Sequence, residues 1–205
     1  WNESYPRGAR VHDYPRDPRT LAMFRWETGQ TPESDPGRWN DWRTAQVTQL
    51  VRDIRAVVKY IKPEVKLSAA VGASPSRAKR MHFQDSREWL AENLLDAVYP
   101  MNYEENMKSF GKHLDLWASS EMRIPVVTGV MFDNRDGRTV IEQVSRTTKT
   151  GSHFSAFAYN SLFERLDRRG KPVKDDRSLS RAALRRQVIP YLRWRASEGV
   201  RLAAR

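Results

Sequence analysis

Residues 94–106 read LLDAVYPMNYEEN, and this stretch limits what the chain can fold into more than any other. The run Leu94, Leu95, Ala97 and Val98 is apolar, short and bounded by Pro100, which predicts a buried strand. Charge returns at Glu104 and Glu105. Polar groups gathered just past the C-terminal end of a strand are where open and closed parallel sheets place their ligands.

The rest of the chain repeats this grammar. Residues 1–16 read as a loop, and Asp17-Pro18 reads as a helix cap followed by proline at the first helical position. Leu21, Phe24 and Met23 give that short helix its apolar side, and Gly29 suits its end. A second loop closes on Asp35-Pro36. Val47, Leu50, Val51, Ile54, Val57, Val58 and Ile61 recur at intervals of three and four, predicting an amphipathic helix that Pro63 stops. Residues 65–71 (VKLSAAV) predict a strand, and 72–84 (GASPSRAKRMHFQ) a long loop. Asp85 then caps a helix holding Trp89, Leu90 and Leu94. A helix near 106–120 with Phe110, Leu114 and Trp117 precedes a strand over 124–130. Asp136-Gly137 opens a helix with Val140, Ile141 and Val144, closed near Gly151, and 153–160 predicts a fourth strand.

Strands and helices alternating at this spacing imply an α/β fold with a parallel sheet and right-handed crossovers. Polar clusters at 72–76, 102–105, 133–135 and Tyr159-Asn160 would open on one face, as in a (β/α)8 barrel. Only about four strands are visible, whereas a complete barrel takes about 250 residues. The expectation is the C-terminal half of a (β/α)8 TIM barrel whose N-terminal strands lie upstream of Trp1. Such a half would be poorly stable alone, with two sheet edges exposed. The alternative is a four-stranded open α/β domain.

Composition removes several classes of function. The chain has no Cys and four His, so thiolate metal sites and disulfides are excluded. His12-Asp13 lacks partners at metal-ligand spacing, so no metal is assigned. No Gly-rich phosphate loop and no G-x-S-x-G elbow occurs. No apolar run is long enough for a membrane span.

The formal net charge is +11, but it is unevenly spread: residues 165–205 hold 13 Lys and Arg against 4 Asp and Glu, residues 1–164 the other 23 against 21. The division expected is a partial barrel over 1–163 and a basic tail over 164–205. Leu184, Val188, Ile189, Tyr191, Leu192 and Trp194 make that tail a closing helix, capped by Ser178 or Ser180 and bent or ended by Pro190. A nucleic-acid or anionic-glycan appendage is the less favoured reading.

Several separated motifs carry a resemblance, in order. They are Trp39-Asn40-Asp41-Trp42-Arg43; Val47, Leu50 and Val51; Ile61-Lys62-Pro63-Glu64-Val65-Lys66-Leu67-Ser68; Gln84-Asp85 with Trp89; Leu95-Asp96-Ala97-Val98-Tyr99-Pro100-Met101-Asn102-Tyr103; and Tyr159-Asn160. Together they resemble the bacterial glycosyl hydrolase-like ten family of TIM-barrel glycosidase-like proteins, over roughly residues 14–163. Met101-Asn102-Tyr103 departs from the family's commoner Pro-Gln-x-Tyr. The resemblance implies a glycosidase acting on a polysaccharide or bacterial glycan without a cofactor, extracytoplasmic, with one principal acid upstream of Trp1. It leaves open whether these 205 residues are active by themselves. The competing classes are a non-catalytic carbohydrate-binding barrel and, less favoured, a nucleic-acid binder.

Glycoside hydrolysis ordinarily uses two carboxylic groups. Glu105 is the first candidate catalytic residue, an acid/base group if partial burial raises its pKa. The competing reading is that Glu104 and Glu105 only start a helix. Asp133 is the second candidate, within residues that also read as a turn. Asn102 and Tyr103 suit substrate binding, by amide hydrogen bonds and an aromatic face, or else a structural bond at the rim. Arg43 suits a bidentate carboxylate contact or a tie between its helix and the sheet. Trp42 offers a sugar platform or a core ring. Asp13 could line the cleft, and Tyr159 and Asn160 end the last strand.

Overall fold

The computed structural model describes residues 14–118, 124–133 and 135–203, with the backbone alone over 198–203. It divides into two compact units, Trp1–Asp96 and Ala97–Arg205.

The first unit contains α1 (Pro18–Thr28), α2 (Pro36–Ile61), β1 (Ser68–Gly72), α3 (Pro75–His82) and α4 (Ser86–Ala91). The Asp17 carboxylate accepts from the Thr20 N–H, and Gly29 closes α1 at φ +69°, a left-handed conformation that favours glycine. Asp35 caps α2 in the same way through the Arg38 N–H, so this helix begins eleven residues before Val47. Helix α3 occupies the segment expected to be a loop. Ser74 accepts from Arg77 N–H with Pro75 at the first helical position, which is the Asp-Pro signal with serine in place of aspartate. Helix α4 ends at Ala91, and the left-handed Asn93 leaves Leu94 outside it.

The buried face of α2 differs from the one its spacing predicts. Trp39, Arg43, Thr44 and Thr48 are buried, while Leu50, Ile54, Val57 and Ile61 are exposed. Thr48 Oγ1 accepts from Trp89 Nε1 at 3.0 Å, joining α2 to α4. Arg52 adds contacts to Glu92 and Glu88. Asp96 accepts from the Leu67 N–H at 2.7 Å and from Lys59 Nζ at 3.0 Å. That amide and that ammonium hold its carboxyl below the usual carboxylate range.

The second unit contains β2 (Ala97–Asn102), α5 (Met107–Ala118), β3 (Val127–Met131), α6 (Gly137–Lys149), β4 (His153–Phe157), a 3-10 turn (Tyr159–Leu162) and α7 (Asp176–Ala203). Strands β2, β3 and β4 are parallel neighbours, with Met101 opposite Gly129 and Val127 to Met131 opposite His153 to Phe157. Pro100 lies inside β2 rather than at its end. The core joins Val130 and Phe132 to Phe110 and Leu114 of α5, Val140 and Val144 of α6, and Leu184 and Val188 of α7. Burying side chains of this size contributes about 1.5–3 kcal/mol each.

Asp136 caps α6 through the Arg138 and Thr139 N–H groups. Helix α7 is capped by Asp175, whose carboxylate accepts from Ser178 N–H at 2.7 Å; Ser178 and Ser180 do not cap it. Ser178 Oγ instead accepts from Arg165 N–H. The helix continues past Pro190 to Ala203. Four strands alternating with seven α-helices among the described residues make the chain α/β and partially TIM-barrel-like. No described helix is long and apolar enough to cross a membrane.

Candidate functional site at the strand ends of the second unit

The last residue of β2, Asn102, is 1% exposed. Its Nδ2 donates to the Phe110 carbonyl at 3.0 Å, and His113 Nδ1 lies 3.2 Å from its Oδ1. Because Oδ1 can only accept, the proton of that contact sits on the imidazole. The Asn102 side chain is thus engaged by α5. Tyr103, the next residue, lays its ring against Phe157 at the end of β4, with centroids 5.2 Å apart and planes 23° apart. Gly129 makes this possible. A Cβ there would come within 3.2 Å of both Tyr103 Cε1 and the Pro100 carbonyl. Partial burial pushes the Tyr103 phenol pKa up, and Phe157 stays 51% exposed. The pair forms an apolar platform at the C-terminal end of the parallel strands.

Glu104 and Glu105 follow the platform, ahead of α5. The cap of α5 is Asn106, whose Oδ1 accepts from Lys108 and Ser109 N–H. Glu104 is fixed by its backbone, since Gln143 Nε2 donates to its carbonyl at 2.7 Å. The Glu105 side chain is 75% exposed, with Arg135 Nη1 at 3.7 Å from Oε1. Arg135 Nη2 also donates to the Tyr103 carbonyl at 3.1 Å, so one guanidinium serves both the platform residue and the carboxylate.

Asp133 follows β3 by two residues and accepts from two arginines of α7, Arg177 Nη2 at 2.8 Å and Arg181 Nη2 at 3.2 Å. Burial pushes its pKa up, but the two guanidiniums outweigh burial and hold the carboxyl below its usual range. Tyr159 and Asn160 are exposed at the start of the 3-10 turn, where Tyr159 tilts against Phe163 with centroids 4.8 Å apart.

The remaining candidates belong to the first unit. Arg43 is 3% exposed, donates to the Tyr14 carbonyl and to Asn40 Oδ1, and lies over the Trp39 and Phe83 rings. Trp42 stacks on Trp39 at 5.4 Å, meets Phe24 edge-on, and donates from Nε1 to Glu27. Asp13 lies outside the described residues. Glu105, Tyr103, Arg135 and Phe157 are therefore linked by direct contacts, whereas Arg43 and Trp42 sit in a separate aromatic cluster.

The family model of glycosyl hydrolase-like 10 matches residues 9–148. The chain belongs to this family. A comparison with curated proteins found no match. The stretch matched by the glycosyl hydrolase-like 10 model takes in Trp42, Arg43, Asn102, Tyr103, Glu105 and Asp133 and stops before β4.

Sequence reasoning overlooked Phe157, Gly129, Arg177 and Arg181, and took Arg135 only as part of the polar cluster at 133–135. Some signals existed. Phe157 precedes Tyr159-Asn160 by two positions, and Arg177 and Arg181 are four apart, hence on one helix face. Their meeting with Asp133, 44 and 48 residues earlier, left no local trace. Among the described residues, no group of three or more His, Asp or Glu stands where it could hold a metal ion.

Proposed function

We propose that this glycosyl hydrolase-like 10 chain binds a polysaccharide or bacterial glycan on the Tyr103–Phe157 platform and hydrolyses it by carboxylate acid/base catalysis. The observation that carries this reading is Arg135, which joins the Tyr103 carbonyl to the exposed Glu105 carboxylate. A sugar ring stacked on the platform would keep its hydroxyls and glycosidic oxygens free for such a side chain. Glu105 takes the acid/base role. Asp133, kept ionised by Arg177 and Arg181, suits a fixed negative charge rather than a proton donor. Tyr159 and Asn160 extend the binding surface. Asn102 acts by positioning Tyr103 through its contacts with α5. Arg43 and Trp42 support the first unit. Extracytoplasmic residence belongs to the same proposal.

The test compares wild type with Glu105→Gln in the full-length protein, reading released sugars and glycan binding separately. Turnover should fall about 10²–10⁴-fold, the usual contribution of a positioned acid or base, with binding retained. Unchanged turnover would remove Glu105 from catalysis. One observation favours a second reading, a carbohydrate binder without hydrolysis. The more enclosed carboxylate, Asp133, is already neutralised by two arginines, and Glu105 has little surrounding wall. Glycan binding by wild type and variant alike, with no product from either, would establish that reading.

A further inference from the structure

Beside the platform lies a cavity of about 610 Å³, formed where β3 ends and α6 and α7 begin. Phe132 and Leu184 give it an apolar floor, and Arg135, Arg177, Arg181 and Ser180 stand in its wall. We infer that this cavity is an anion-binding site, taking a carboxylate or phosphate group borne by a sugar or free in solution.

Three arguments converge on that chemistry. The lining gathers three guanidiniums in one wall, and the carboxylates that pair with them, Asp133 and Glu105, lie outside that lining. Asp136 is moreover spent on capping α6, where it accepts from two backbone N–H groups. The wall is also rich in donors. Each guanidinium offers five N–H groups and no acceptor. Asp133, the Tyr103 carbonyl and the Phe163 carbonyl take some of them. A group that only accepts, with several oxygens in one plane or tetrahedron, completes such a wall. Finally, the first residues of α6 and of α7 both line the cavity, and helices of 13 and 28 residues turn the positive ends of their dipoles toward it.

The site is held open by structure rather than by charge alone. Asp133 fixes two of the three arginines by accepting from each of them. Arg135 belongs to the cavity wall and to the platform contact together. An anionic group seated in the cavity could therefore belong to the same glycan that covers the platform, or to a separate small ion.

The experiment is titration calorimetry on the full-length protein at low ionic strength, with inorganic phosphate, galacturonic acid oligomers and matched galactose oligomers. Phosphate should bind with a Kd of about 1 mM or tighter, more weakly as salt rises. Arg177→Gln, at a half-exposed position, should weaken it about tenfold or more, the scale of a lost charge-assisted hydrogen bond. Ser180→Phe, which fills the cavity without changing its charge, should do the same. Uronate oligomers bound more tightly than phosphate, with neutral oligomers weaker than both, would assign the anion to a glycan; phosphate bound as tightly as uronate would assign it to a free ion. Absence of binding by both anions, or binding undiminished in both variants, overturns the inference. Glu105→Gln, which removes a carboxylate beside Arg135, should leave phosphate binding intact or tighten it, so failure of the hydrolase reading and failure of this one are distinguishable.

Discussion

Arg43 in the first unit and Arg135 in the second use the same functional group to opposite ends. The Arg43 guanidinium donates to a backbone carbonyl and a side-chain amide and is covered by Trp39 and Phe83. Its charge is consumed by the fold. Arg135 also donates to a carbonyl, that of Tyr103, but it turns its remaining donors to an exposed carboxylate and a cavity. An arginine between rings and carbonyls is a fastening. An arginine between a carboxylate and open space still has charge to offer a ligand.

The sharpest way to break this contrast is truncation. Arg43→Ala should cost on the order of 3 kcal/mol, because it strips several hydrogen-bonded partners and opens a gap between two aromatic rings. Arg135→Ala should cost less, about 1.5 kcal/mol, the scale of one lost hydrogen bond to the Tyr103 carbonyl, while weakening glycan and phosphate binding. Urea unfolding measures both, and equal losses would erase the distinction. Asn102→Ala comes next, at about 2 kcal/mol, since it removes a buried amide held by the Phe110 carbonyl and His113 and leaves a void at the end of β2. If Asn102 served only the sugar, stability would hold and affinity alone would drop.

Gly129→Ala should cost about 1 kcal/mol. Its Cβ presses on the Tyr103 ring and the Pro100 carbonyl, so the Tyr103–Phe157 stacking and glycan affinity should decline together. Unaltered affinity would mean that the platform is not where the glycan lies.

The smallest effect is acid sensitivity, to which each unit contributes a carboxylate held below its ordinary value of 3.8, Asp96 in one and Asp133 in the other. A lowered folded-state pKa gives stability that is full above the unfolded value and is lost as pH falls through the folded one. Stability should thus be level near neutrality and decline below about pH 4. Asp133→Asn should lessen that decline in the second unit, where Glu164 and Asp175 are also held below their ordinary values, and leave the share from Asp96 unchanged, as acid titration followed by circular dichroism would show.

Much of the fold was legible because its punctuation is local. Asp17, Asp35, Asp85 and Asp136 each cap the helix they precede, and the strands fall close to the apolar runs. Ser74-Pro75 carries the same signal with serine in place of aspartate, but its loop-like surroundings hide α3. The spacing of Leu50, Ile54, Val57 and Ile61 revealed a helix but not which face the first unit buries, since that depends on what packs against it. The candidate site was less legible. Glu105 and Tyr103 follow from the end of β2, yet Phe157 and Gly129 reach Tyr103, and the α7 arginines reach Asp133, only through tertiary pairing. No periodicity encodes a contact between residues 133 and 181.

The platform and the acid rest on different supports. Tyr103 is fixed by Gly129, Phe157 and the end of a buried strand, while Glu105 projects from a short connection beside Arg135. Evolution can therefore act on one without disturbing the other. A replacement at position 105 would leave the sheet, the stacked rings and the arginine cavity standing. Within such a lineage, an enzyme and a lectin could be one mutational step apart, with the recognition surface inherited unchanged.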